Sequence, residues 1–96
     1  MNIDQLEKHR IELEKPLLII KASQGLLACG YLNLETFNKT GEACALVTGV
    51  SNFDEMLTKG VSGVSSAAAD LGVVVGMSGK DALTRMHKGT TEQPGI

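Results

Sequence analysis

The sequence predicts an α+β fold: one small mixed αβ domain with a β-rich amino-terminal half, followed by alternating helices and strands that cover the sheet. Three observations lead there. Residues 9–32 carry alternating and apolar runs separated by a short turn-like segment. From residue 33 onward, capping residues and glycines cut the chain into short helix-sized and strand-sized pieces. The length of 96 residues fits a single domain, with no repeat or linker to divide it.

Each element has its own signal. "HRIELEK" at 9–15 alternates, placing Ile11 and Leu13 on one face and Arg10, Glu12 and Glu14 on the other. Pro16 interrupts it. "LLIIK" and "LLACGYL" (26–32) are apolar runs joined by "ASQG" at 22–25, which predicts an antiparallel hairpin. Asn33 caps a short helix that ends at Gly41, with Leu34 and Phe37 on one face. "ACALVTGV" at 43–50 reads as a strand buried on both faces. Ser51 is the expected cap of the next helix, with Phe53, Met56 and Leu57 inward and Gly60 as its stop. "VSSAAADLG" (64–72) reads as a helix, and "VVV" at 73–75 as a short strand. Ser78 caps the last helix, where Ala82, Leu83 and Met86 face inward and Asp81 is spaced to pair with Arg85. The domain is assigned to residues 1–88, and the polar "KGTTEQPGI" makes 89–96 a disordered tail.

Composition excludes several functions. Nine basic against eleven acidic residues, a net charge of -2, leave no footprint for nucleic acid. Aromatics are 3% of the chain, so base-stacking platforms are missing as well. No apolar run approaches the ~20 residues that cross a bilayer, and the charged amino terminus is no secretory signal. The expectation is a cytoplasmic protein without membrane contact. Cys29 and Cys44 form no C-x-x-C pair and the two histidines lie near opposite ends, so no metal site is expected. A small aliphatic core favours burial between copies, hence a homo-oligomer.

The glycine-rich segment at 72–79 invites a phosphate-loop reading and fails it. In G-x-x-x-x-G-K-[ST], Gly79-Lys80 would be the Gly-Lys pair, but the first glycine position holds Val74 and the hydroxyl position holds Asp81. The dinucleotide pattern fails too, because the first interval among Gly72, Gly76 and Gly79 is too long. No cofactor is expected. What survives is a capped turn whose amides could hold an anion, which makes Gly76, Met77, Ser78 and Gly79 binding candidates. Thr48, Gly49 and Ser51 join them at the end of the central strand, where α/β sheets place ligands. Cys29 is the one catalytic candidate: a thiol at a strand end, beside Gly30, which allows close approach. Two functions stand side by side. One is a non-enzymatic module that binds a ligand or a protein; the alternative is a small enzyme or redox protein using Cys29 as a reactive thiol.

"GLLACGYLNLETFNKTGEACALVTGVSNFDEML" followed by "AADLGVVVGMSGKDALTRM" resembles the YunC-type domain family of bacteria and archaea, a domain of unknown function. Its most specific pieces are Cys29-Gly30, Gly49-Val50 and the block from Leu71-Gly72 through Gly76-Met77-Ser78-Gly79 to Ala82-Leu83. The resemblance implies a small αβ domain that assembles, as a dimer or tetramer, through its amino-terminal β region. It carries over no catalytic residue.

Overall fold

The computed structural model describes residues 6–87, so the expected tail at 89–96 lies outside the described residues. The elements are β1 (Glu7–Ile11), β2 (Leu17–Lys21), β3 (Gly25–Ala28), α1 (Leu34–Thr40), β4 (Ala43–Leu46), α2 (Phe53–Thr58), β5 (Gly63–Val64), α3 (Ser66–Asp70) and α4 (Gly79–Met86). The five strands form one sheet in chain order. Every pairing is antiparallel except that of β3 with β4. The predicted αβ class and the predicted hairpin are both present. The hairpin is β2–β3, closed by a bond from Ala22 N–H to the Gly25 carbonyl of 2.8 Å.

A parallel pair cannot be joined by a tight turn, so the chain crosses over between β3 and β4 through α1. Asn33 starts that helix by accepting the Glu35 N–H at 2.8 Å, and Gly41, at φ 79°, ends it.

Register divides the sheet into two faces. Ile20, Leu27, Ala45 and Val64 lie side by side across β2 to β5. Their face carries the main core, in which Leu18, Leu27 and Val47 pack with Met56 of α2 and Leu83 and Met86 of α4. Each such aliphatic side chain contributes about 1.5–3 kcal/mol on burial. Ile19, Leu26, Cys44 and Leu46 point the other way. On that side Leu34 of α1 reaches Gly63 of β5, 2.8 Å from where a Cβ would stand.

Three segments depart from expectation. "VVV" is not a strand: Val73 is 1% exposed, but Val74 and Val75 are 57% and 61% exposed. Gly72 and Gly76, at φ 93° and 99°, turn the chain on either side of it, so no neighbouring strand can run alongside. Ser51 does not cap α2. Asn52 does, accepting the Glu55 N–H, while Glu55 Oε1 takes the Ser51 N–H. Val64 belongs to β5 rather than to the alanine-rich helix, which begins only after Ser65. The strands also stop short of their apolar runs, β1 at Ile11, β3 at Ala28 and β4 at Leu46. Asp81 and Arg85 do not pair; among the described residues the ion pairs are His9 with Glu7 and Arg10 with Glu12.

Two close fits hold the layers. A Cβ on Gly79 would stand 1.8 Å from the Met56 carbonyl oxygen, so α4 crosses α2 at a distance that only glycine permits. Ser65 is the buried polar side chain among the described residues. Its hydroxyl accepts the Cys44 N–H at 2.9 Å and the Ala68 N–H at 3.3 Å, and donates to the Glu42 carbonyl at 2.9 Å. It thereby finishes the β4 ladder and caps α3 at once. Ser65→Ala leaves two amides without an acceptor and is expected to lower unfolding free energy by about 3 kcal/mol, measured by urea denaturation.

Candidate functional site

Because β3 and β4 run in parallel, their carboxyl ends open on the same side. The chain leaves β3 through Cys29, Gly30 and Tyr31, and leaves β4 through Val47 to Ser51. Between these exits lies a cavity of about 440 Å³, lined by Lys15, Pro16, Cys29, Gly30, Tyr31, Gly49, Val50 and Ser51. This is the volume range of small-molecule sites.

Cys29 forms the cavity's inner wall and is almost wholly buried. It extends the pairing with β2: its N–H donates to the Leu18 carbonyl at 3.1 Å. The Leu18 N–H donates in return to the Cys29 Sγ at 3.3 Å, so the sulfur stands in for a ladder carbonyl. Thr48 does not line the cavity but packs over Gly30, its Cγ2 3.3 Å from where a Cβ would stand. Tyr31, half-exposed, bridges to the bend before β2: its hydroxyl oxygen accepts the Lys15 N–H at 3.1 Å. Lys59, at the end of α2, places Nζ 2.9 Å from the Cβ position of Gly49.

The candidates thus fall into two groups. Cys29, Gly30, Gly49 and Ser51 line one cavity, and Thr48 packs against Gly30 beside it. Gly76, Met77, Ser78 and Gly79 lie elsewhere, laced to residues 59–61. The Gly76 N–H donates to the Val61 carbonyl at 2.8 Å, the Gly79 N–H to Lys59 at 3.0 Å, and the Met77 N–H to Val74 at 3.3 Å. Ser78 Oγ accepts the Asp81 N–H at 3.1 Å. Those amides serve the backbone. Since 73–75 is not a strand, this loop is also not at a strand's carboxyl end.

Sequence reasoning missed Lys15, Pro16, Tyr31 and Val50. The available signals were local: the chain's one tyrosine directly follows Gly30, and Lys15-Pro16 marks a bend. Neither histidine lines the cavity. His87 Nδ1 accepts the Ser23 N–H at 3.2 Å, at the opposite end of β3. His9 sits on β1 beside Glu7. Its hydrogen bond and its charge hold that carboxyl below the ordinary value of 4.5. Among the described residues no three potential metal ligands gather.

The two thiols are free and point to opposite faces of the sheet, which prevents a disulfide between them. Cys44 is inert by position. Burial first, and the charge of Glu42 second, push its thiol from 9.0 up to about 12. An unfolded thiol loses its proton near 9.0 while the folded one keeps it to about 12, so this contribution is complete below pH 9 and is lost as pH rises through that window. Unfolding free energies of the wild type measured from pH 8.5 upward are expected to fall more steeply than those of Cys44→Ala, by about 1 kcal/mol per pH unit.

Comparison with known proteins places the chain. The family model described as "Domain of unknown function (DUF1805)" matches residues 28–86, which include Cys29, Gly49 and the whole of α4. The uncharacterised protein YunC of Bacillus subtilis (strain 168) is 33% identical over 75 residues, covering 74% of each chain. A crystal structure of a protein of unknown function from Thermoplasma acidophilum is 32% identical, with a TM-score of 0.74 over 85% of this chain and 93% of that one. No helix among the described residues is long and apolar enough to cross a membrane. By sequence match and by fold, the chain belongs to the DUF1805 family of YunC-type domains, a family of unknown function.

Proposed function

We propose that this chain is a non-enzymatic module of the cytoplasm that binds a small ligand or a protein partner in the crevice at the carboxyl ends of β3 and β4, and that it works as a homo-oligomer. The observation that carries the reading is the crevice: a cavity of ligand size with hydroxyl and ammonium groups at its mouth and no histidine or carboxylate among its lining residues. Two free thiols accord with a reducing compartment.

The oligomer reading, dimer or tetramer through the amino-terminal β region, draws on the opposite face of the sheet. There Ile19 and Leu26 are only partly buried and Ile11 is 52% exposed, with Leu13, just beyond β1, 49% exposed. β1 is also an edge strand among the described strands. A second copy would cover this surface. Sedimentation velocity at micromolar concentration is expected to give a dimer or tetramer, and Ile11→Lys a smaller species. Wild-type protein that sediments only as monomer refutes the assembly.

One observation favours the thiol alternative, namely that Cys29 is among the residues lining the crevice and its Sγ accepts a backbone N–H. Iodoacetamide labelling across pH separates the two. On the module reading, Cys29 in the folded protein reacts more slowly than a free thiol throughout. Faster labelling than a free thiol near neutral pH would shift the reading to a reactive cysteine.

A further inference from the structure

We propose that the crevice takes a small aliphatic carboxylate. The proposal rests on the crevice reading above and adds the class of ligand.

The polar groups at the mouth are donors. Tyr31 Oη already accepts the Lys15 N–H, which leaves its own proton free to point at a ligand. The Ser51 hydroxyl has no partner among the described residues. Lys15 lines the mouth; Lys59 is not a lining residue, but its Nζ lies 2.9 Å from the Cβ position of Gly49, which is one. Neither ammonium has a carboxylate partner; the ion pairs among the described residues involve other side chains. Among the described residues no Asp or Glu lines the cavity. The nearby acid, Glu55, is engaged by the Ser51 N–H at 2.6 Å. One unpaired cation in the lining, a second beside Gly49 and two free hydroxyls select an anion, because charge-assisted hydrogen bonds are the strong ones.

The inner wall decides which anion. Pro16, Val50 and Cys29 are apolar, and the cavity of about 440 Å³ has room for an aliphatic body behind the charged head. A phosphate group calls for converging backbone amides. Here the Ser51 amide is taken by Glu55, and among the described residues none of a helix lines the crevice, so no helix terminus points its amides into it. A carboxylate needs fewer donors, and the ones present suffice.

The test is an amide chemical-shift titration of the full chain with hexanoate, hexanamide and inorganic phosphate, at fixed ionic strength. Hexanoate is expected to shift Gly30, Tyr31, Gly49 and Ser51, with hexanamide and phosphate much weaker. Lys15→Ala and Lys59→Ala should each weaken hexanoate about tenfold. Lys15→Arg should retain binding, as should Lys39→Ala on α1. Equal shifts from hexanoate and hexanamide would overturn the carboxylate assignment while leaving the crevice as a binding site. A phosphate response stronger than that of hexanoate would overturn it in favour of a phosphorylated ligand. No shift from any probe would sink both the assignment and the crevice as a small-molecule site.

Discussion

The parallel pairing of β3 with β4 governs the rest of the molecule. Among the described residues it is the single parallel contact in the sheet, and it forces the chain to leave the sheet and return through α1. It also brings both carboxyl ends to the same edge, where the departing segments separate and leave a crevice. An all-antiparallel sheet of these strands would alternate strand ends and starts along that edge. Cys29 and Gly49 would then lie at opposite ends of the molecule.

Holding this arrangement in so short a chain depends on polar groups finding partners. β5 is only two residues long, so its ladder to β4 ends early. Ser65 takes over with both its backbone and its hydroxyl, so that β4 is satisfied where the strand gives out. At the other end, Cys29 sulfur replaces a carbonyl toward Leu18. These substitutions let the strands stop short without stranding buried amides, which would each cost about 1–3 kcal/mol. On the helical side, Gly79 lets α4 approach the α2 backbone closely enough for Leu83 and Met86 to fill the core.

The candidate site was half legible in the sequence. Cys29, Gly30, Gly49 and Ser51 stand where apolar runs give way to glycine, and strand ends are where such sheets bind ligands. Their meeting required the parallel register, which no local signal carries. The charged residues there, Lys15 in the lining and Lys59 beside Gly49, come from a bend and a helix end, and their types are unremarkable in sequence. Conversely, the glycines at 72 to 79 are conspicuous in sequence but serve as turns around an irregular segment laced to residues 59–61. Positive φ and close packing explain them without a ligand.

What the sequence by itself determined was local and periodic: the αβ class, the β2–β3 hairpin, the caps Asn33 and Ser78, and the inward face of α4. Each follows from hydrogen bonds or side-chain spacing within a few residues. Tertiary structure alone decided that "VVV" is no strand, that Gly63–Val64 is one, and that β3 and β4 run the same way. Those outcomes depend on a partner elsewhere in the chain. A strand exists only where another backbone lies alongside to bond it, and a short apolar run does not reveal whether one will.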